Sequence, residues 1–114
     1  MSKFLKDNRR LFRREINLEC SYWKHTSSGF FDKIEKATVV NLSTGGCRIH
    51  VSDDHNLHRK DSITLVFKLD NPDRTEIQQE TVVRWVIGNF IGCKFSFEHD
   101  SDIWFYVHKD IPPK

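Results

Sequence analysis

Two short polar segments contain the residues of this chain whose types and spacing could do chemistry. Residues 9–14 read Arg-Arg-Leu-Phe-Arg-Arg and place four guanidinium groups within six positions. Residues 41–46 read Asn-Leu-Ser-Thr-Gly-Gly and combine an amide, hydroxyl groups and two glycines in a polar turn that interrupts a β-like run. Arginine pairs with phosphate through a rigid fork and also stacks on, or hydrogen-bonds to, a purine. Together the two segments predict a site for a nucleotide.

Each segment alone has an ordinary structural explanation. A run of arginines is typical of a solvated basic tail, and Asn, Ser, Thr and Gly are standard residues of a β-turn. The combination favours a ligand site, because a cluster of fixed positive charges accompanies a turn rich in polar groups. Residues 1–16 hold six cations and two acids, a local charge of +4, whereas the whole chain carries +2. The positive charge is therefore concentrated in one segment.

Composition and length predict one globular domain. The 114 residues are 38% hydrophobic and 30% charged, and a chain of this length buries roughly two-thirds of its unfolded surface. Cysteines at positions 20, 47 and 93 form no CxxC motif, which argues against a disulfide framework or a zinc site and fits a reducing compartment. The sequence has no apolar run typical of a signal peptide or a membrane span. We therefore expect a cytoplasmic protein without membrane insertion.

Catalysis and metal binding are not expected from the sequence. No cysteine has an obviously positioned base nearby, which argues against nucleophilic catalysis. His55 and His58 lie near Asp53 and Asp54, but this polar loop offers no third well-placed metal ligand. The chain is therefore predicted not to be an enzyme, to have no metal site and to need no cofactor besides its ligand.

Alternation of apolar and polar residues predicts a mainly all-β fold. The pattern indicates strands at residues 18–24, 34–42, 47–51, 63–69, 75–87 and 91–97. Gly88-Asn89 favours a two-residue hairpin turn of type II′. Asp100 or Ser101 can cap a helix that continues through Val107. We predict a six-stranded antiparallel β-barrel with a C-terminal α-helix in residues 17–114, preceded by a flexible basic N-terminal arm in residues 1–16.

The two polar segments resemble the signatures of a known family. Residues 10–14 match the RxxxR signature, and residues 41–46 the (D/N)xSxxG signature, of PilZ domains, which are bacterial receptors for cyclic di-GMP. Residues 45–49, residues 91–95 and the acidic entry to the last helix are also similar to this family. Arg13 adds a charge inside the first signature. The chain resembles a stand-alone PilZ domain with no attached output module.

The resemblance implies a barrel that holds cyclic di-GMP on its outer surface, under the N-terminal arm. Arg10 and Arg14 would grip guanine edges and phosphates, and Asn41 would contact a guanine. Ser43 would contact a phosphate or the guanine edge, and Gly46 would supply the backbone turn.

Four further residues complete the candidate site. A basic residue at the position of Arg9 accompanies, in this family, the binding of an intercalated ligand pair. Arg13 and Gly45 are included because they lie within the signatures. Trp85 lies on a strand that the family places beside the ligand and could stack on a purine, although core packing is its rival explanation. Arg48 could face the ligand, but simple outward alternation on its strand is favoured.

The function implied is that of a cyclic di-GMP receptor or adaptor. The arm would become ordered on the ligand and change a surface that meets an effector protein, in motility, adhesion or biofilm control. Of the three aromatic residues 104–106, at least one should be exposed and could contact a partner. Two alternatives stay open, which are a small-barrel nucleic-acid-binding protein and a PilZ adaptor that acts without ligand. Nucleic acid is the less favoured partner, because the net charge of +2 is low.

Overall fold

The strands of the chain form one β-sheet that closes on itself as a barrel. The computed structural model describes residues 13–26, 33–96 and 101–108. Within these ranges the chain forms β1 (Arg13–Lys24), β2 (Glu35–Ser43), β3 (Gly46–His50), β4 (Ser62–Lys68), β5 (Glu76–Ile87), β6 (Phe90–Phe95) and helix α1 (Ser101–His108). Each strand pairs antiparallel with its neighbours in the closed order β1-β2-β3-β6-β5-β4. The predicted six-stranded antiparallel barrel is confirmed.

Apolar residues at every second position fill the interior of the barrel. In β4 the side chains of Ile63, Leu65 and Phe67 are buried, because successive residues of a strand point to opposite faces of the sheet. Helix α1 contributes further buried side chains to the same core, among them those of Ile103 and Tyr106. The core therefore occupies the inside of the barrel and leaves the outer face of the sheet for polar residues.

Strand β1 begins at Arg13, earlier than the predicted start at Leu18. Residues 13–16, which the sequence placed in the arm, belong to the sheet because Arg13 pairs with Ser43 and Glu15 pairs with Asn41. The alternation here is hard to recognise in the sequence because a charged residue, Arg14, occupies a less exposed position between two exposed ones. Residues 1–12, including Arg9 and Arg10, lie outside the described residues, so an arm in that range stays a prediction.

The hairpin between β5 and β6 turns at Gly88-Asn89, as predicted. Gly88 has a φ of 59°, a left-handed value, while Asn89 does not. A positive φ at the first central residue alone is typical of a type II′ turn, where glycine is favoured. The Asn89 amide also donates a hydrogen bond of 3.0 Å to the carbonyl of Val51, which ties this turn to the end of β3. Strand β6 ends at Phe95, and residue 97, the predicted end, lies outside the described residues.

The three cysteines face the barrel interior as free thiols. Cys47 lies directly opposite Cys93 in the β3–β6 pairing. A hydrogen bond with Cys93 and burial hold the pKa of Cys47 well above its ordinary value of 9.0. Burial, helped by the nearby Cys93, raises the pKa of Cys20 from 9.0 to about 12. The folded barrel therefore keeps the thiols of Cys20 and Cys47 protonated at alkaline pH.

This difference in pKa predicts how stability depends on pH. Above pH 9 the thiols of the unfolded chain ionise while Cys20 in the folded chain stays protonated, so alkaline pH favours unfolding. We expect the free energy of unfolding to fall between pH 9 and 12, by up to about 1.4 kcal/mol per pH unit for each such thiol. Urea titrations at several pH values measure this slope. The Cys20→Ala variant should show a shallower slope, and an identical slope would contradict the assignment to this thiol.

Candidate ligand-binding site

A pocket of about 680 Å³ lies on the outer face of the barrel, where β1, the β2–β3 turn, β5 and β6 meet. Its charged lining consists of four cations and one carboxylate, Arg13, Arg48, Arg84, Lys94 and Glu15. Residues 43–46 of the β2–β3 turn form another wall, and Trp85 a third. The pocket therefore combines positive charge, a polar turn and an aromatic surface, and the ligand contacts expected of residues 41–46 and of Trp85 stay predictions.

Asn41 links a cation and an anion on the pocket floor. The Nη1 atom of Arg13 donates a 2.8 Å hydrogen bond to Asn41 Oδ1, and Asn41 Nδ2 donates a 2.8 Å hydrogen bond to Glu15 Oε2. These contacts follow from the strand register, in which Glu15 lies opposite Asn41. Only 3% of Asn41 is exposed, so its amide is almost wholly enclosed by its neighbours.

Ser43 stabilises the turn that it precedes. Its hydroxyl donates a hydrogen bond of 3.1 Å to the carbonyl of Gly46 and accepts one of 3.3 Å from the N–H of Gly45. The Phe95 N–H donates to the carbonyl of Gly45 at 2.9 Å and joins the turn to the end of β6. The turn is therefore held on both sides, which fixes the pocket wall. The ligand contact expected of Ser43 stays a prediction.

Two glycines allow close approaches at the pocket. A Cβ atom on Gly46 would lie 2.3 Å from the backbone oxygen of Cys93, so glycine is required there for the packing of β3 against β6. A Cβ on Gly92 would lie 2.2 Å from the indole Nε1 of Trp85, because the indole covers this glycine. Trp85 itself is 38% exposed and lines the pocket. Its location on the surface rules out core packing as the explanation of this tryptophan.

The structure places Arg14 away from the pocket, which corrects the expected grouping of site residues. Alternation along β1 turns Arg14 away from the exposed face that carries Arg13. Its Nη1 donates a hydrogen bond of 3.1 Å to the carbonyl of Tyr106, and its guanidinium lies 4.1 Å from the centre of that ring. The Tyr106 hydroxyl donates in turn to Asp70. Arg14 therefore attaches α1 to the barrel.

Arg13 occupies the pocket position that the sequence assigned to Arg14. The four-residue spacing of the RxxxR signature is met by Arg9 and Arg13 as well as by Arg10 and Arg14. The second arginines of these two pairs are Arg13 and Arg14. Of these two, only Arg13 lines the pocket. The location of Arg13 thus favours the pair of Arg9 and Arg13 as the signature arginines.

Four pocket residues, Glu15, Arg48, Arg84 and Lys94, were not predicted as site residues. For Arg48 the sequence favoured outward alternation on β3, but here the outer face of the sheet is the pocket. Its Nη2 atom lies 3.9 Å from Glu15 Oε1, and its guanidinium lies 6.0 Å from the centre of the Phe90 ring. Alternation also indicates this face for Lys94, two residues beyond Gly92. The alternation in both strands therefore indicated that these side chains point outward, although it could not show that the outer face of the sheet is concave here.

The loop that contains His55 and His58 is held by hydrogen bonds of its own. His55 Nδ1 accepts a hydrogen bond from the Leu57 N–H, and its Nε2 lies 3.0 Å from the Gly88 carbonyl, so its contacts are those of a structured loop. Within residues 13–26, 33–96 and 101–108, no group of three or more potential ligand side chains could hold a metal ion. The same part of the chain contains no helix long and apolar enough to cross a membrane.

The fold and the pocket define a class of small antiparallel barrel with a cationic pocket on its outer face. The family model for the PilZ domain matches residues 8–104, and the chain belongs to this family. No curated protein sequence is similar enough to the chain to count as a relative.

Several solved structures share the fold, among them the following two. One is the Bacillus subtilis inhibitor of motility MotI/DgrA, with a TM-score of 0.66 and 17% identity over 81% of this chain. This chain covers 44% of MotI/DgrA, less than half of its length. The other is the PilZ domain of CeSA from a cellulose-synthesizing bacterium, with a TM-score of 0.59 and 15% identity over 83% of this chain and 89% of that one. Identities this low establish the common architecture only.

Proposed function

We propose that this PilZ domain is a receptor for cyclic di-GMP that binds the nucleotide in the outer pocket. The observation that carries the proposal is the placement of four cations around the β2–β3 turn and the indole of Trp85. PilZ domains are generally binding or adaptor domains, and membership of the family supports binding rather than catalysis.

The charge and shape of the pocket suit this ligand. Cyclic di-GMP carries two phosphate charges, and the pocket lining has four cations against the single carboxylate of Glu15. A guanidinium fork matches the adjacent O6 and N7 acceptors of guanine, and an indole stacks well on a purine. A micromolar complex needs about 8 kcal/mol, whereas one charge-assisted hydrogen bond contributes roughly 1.5–3 kcal/mol. Several of these groups must therefore act together.

The proposal gives each residue of the candidate site a role. Arg13 takes the phosphate or guanine contact, while Arg9 and Arg10 contribute from the segment that precedes β1. Ser43, Gly45 and their neighbours form the polar wall against which a phosphate lies. Binding of an intercalated ligand pair belongs to the same proposal and rests on the basic residue at position 9.

Signalling is a further part of the proposal. Ligand in the pocket orders the segment before β1 and changes the surface that an effector protein meets, in motility, adhesion or biofilm control. This is a shift between populated states driven by differential affinity. A cytoplasmic location is supported by the three free cysteines, which fit a reducing compartment.

A calorimetric titration with cyclic di-GMP tests the proposed function. We expect binding with a dissociation constant in the micromolar range or tighter, which corresponds to about 8 kcal/mol, and one or two ligands per chain. The linear dinucleotide pGpG is the control for simple charge attraction and should bind more weakly. Absence of heat and of any change in the tryptophan fluorescence would contradict the proposal and favour a ligand-independent adaptor.

The same sample discriminates the nucleic-acid alternative. A single-stranded oligonucleotide should not compete with cyclic di-GMP at moderate salt. Tight oligonucleotide binding that weakens steeply with salt, without competition from cyclic di-GMP, would instead support a nucleic-acid-binding barrel.

A further inference from the structure

Glu15 is the one carboxylate among the residues described in the pocket lining. Its side chain is 77% exposed, yet its position is defined by two contacts. Oε2 accepts the hydrogen bond from Asn41, and Oε1 lies 3.9 Å from Arg48 Nη2, which is an ion pair rather than a hydrogen bond. The carboxylate is thus held in place while much of it faces the space where a ligand would lie.

A negative charge at this position opposes the phosphates of an anionic ligand. Like charges a few ångströms apart repel each other, so Glu15 lowers the affinity for any ligand that offers only phosphate. The repulsion is outweighed when the ligand presents hydrogen-bond donors to the carboxylate. Charge-assisted hydrogen bonds are about twice as strong as neutral ones. The interaction is strongest when two parallel donors meet the two oxygens of the carboxylate.

Guanine carries such a donor pair and adenine does not. The Watson–Crick edge of guanine presents N1–H and the N2 amino group side by side, and an ionised carboxylate is an acceptor with two oxygens that can accept a parallel pair. Adenine presents an acceptor at N1 beside its single amino donor, so it would place a lone pair against the carboxylate. Asn41 uses one acceptor position of Glu15, which leaves acceptor capacity on both oxygens.

We propose that Glu15 selects guanine over adenine by accepting hydrogen bonds from N1–H and the N2 amino group of one base of the bound dinucleotide. In this arrangement Asn41 is a positioning residue, because its amide already binds Arg13 at Oδ1 and Glu15 at Nδ2 and only 3% of it is exposed. Asn41 thereby holds the guanidinium of Arg13 near a phosphate and the carboxylate of Glu15 near the base, both on the pocket floor. The inference rests on the proposed function, since it concerns the specificity of that pocket.

The experiment compares three ligands on matched variants of the full chain. The ligands are cyclic di-GMP, cyclic di-AMP and cyclic di-IMP, whose hypoxanthine bases keep N1–H but lack the N2 amino group. The variants are Glu15→Gln, which preserves an acceptor for Asn41, and Glu15→Ala. Glu19→Gln is the control, because Glu19 is an exposed acid on the same face of β1 that does not line the pocket.

We expect the unaltered protein and Glu19→Gln to prefer cyclic di-GMP over cyclic di-IMP by about tenfold or more, and over cyclic di-AMP by a larger factor. In Glu15→Gln and Glu15→Ala the preference for cyclic di-GMP over cyclic di-IMP should fall to about threefold or less. The reason is that these variants lack the carboxylate that accepts a hydrogen bond from the N2 amino group of guanine. Circular dichroism of each variant checks that the barrel is folded.

An unchanged ratio of affinities in both Glu15 variants would overturn the inference. The ratio could stay unchanged with the affinities themselves unaltered, or with all three ligands bound more tightly by the same factor, which would make Glu15 only an opposing charge. If the unaltered protein bound cyclic di-GMP normally in either case, the proposed function would stand and the role of Glu15 alone would fail. If the unaltered protein bound none of the ligands, both would be wrong.

Discussion

We expect Arg13→Ala to weaken the binding of cyclic di-GMP by at least about tenfold, or 1.4 kcal/mol, while Arg14→Ala leaves the affinity nearly unchanged. The two residues are adjacent in sequence and equal in charge. A difference in affinity between the two variants therefore reflects only where each side chain lies. Arg13 lines the pocket and hydrogen-bonds to Asn41, whereas Arg14 contacts Tyr106 of α1. Calorimetric titration of the two variants measures the difference in affinity.

Arg14→Ala should instead destabilise the protein. The variant loses a charged hydrogen bond to the Tyr106 carbonyl and a guanidinium–ring contact at 4.1 Å. Interactions of these kinds contribute about 1–3 kcal/mol together, since Arg14 is only partly buried. Urea denaturation should show this loss for Arg14→Ala and a smaller one for Arg13→Ala, because Arg13 lies on the exposed face of β1 and loses one part-buried hydrogen bond to Asn41.

Arg13→Lys and Arg14→Lys separate charge from geometry. Lysine keeps the charge but lacks the planar fork, so Arg13→Lys should recover only part of the lost affinity. The opposite pattern, with binding lost in Arg14→Ala and retained in Arg13→Ala, would show that Arg10 and Arg14 are the ligand-binding pair after all.

The barrel was predictable because local alternation and the turn residues already specify it. Ile63, Leu65 and Phe67 occupy every second position of β4, and Gly88-Asn89 marks the hairpin that the structure contains. Such signals depend on neighbouring positions only, so a single sequence contains them in full. A turn between β2 and β3 was predictable for the same reason, although it was predicted at residues 41–46 and β2 in fact continues through Ser43.

The sequence pattern alone could not predict which of the arginines face the pocket. Four arginines in six positions satisfy the same spacing in two ways. The choice depends on which side chains of β1 face outward, and that is fixed by the pairing of Glu15 with Asn41 on the next strand. A shift of one residue reverses the faces of a strand, so the register decides the role of every arginine that it contains.

The reasons for the glycines also lie in tertiary structure. The sequence associated Gly46 with the conformational freedom of a turn, whereas the structure relates it to the backbone oxygen of Cys93, almost fifty residues away in the chain. Gly92 likewise makes room for the indole of Trp85 on the neighbouring strand. Contacts between distant segments leave no local pattern, so such requirements become visible only in the folded barrel.

We expect Gly46→Ala to destabilise the protein by about 3 kcal/mol, the largest loss of stability among the substitutions considered for the pocket. The new Cβ would lie 2.3 Å from the Cys93 carbonyl oxygen and 3.3 Å from the Lys94 Cα. Both are backbone atoms, which cannot rotate away as a side chain would. Relief therefore requires β3 to move from β6, which disturbs the pairs formed by Gly46 with Lys94 and Cys47 with Cys93.

Gly45→Ala is the matched control for this prediction. A Cβ at Gly45 would meet no atom within 4 Å, and its φ is not left-handed. Alanine there should be neutral or stabilising by about 0.4–1 kcal/mol, because it reduces the freedom of the unfolded chain. Thermal and urea denaturation of the two variants should therefore diverge, and similar midpoints would contradict the contact assigned to Gly46. Because the movement of β3 also displaces the wall that carries Arg48, Gly46→Ala should lose affinity together with about 3 kcal/mol of stability, whereas Arg13→Ala should lose affinity with a smaller loss of stability, that of its hydrogen bond to Asn41.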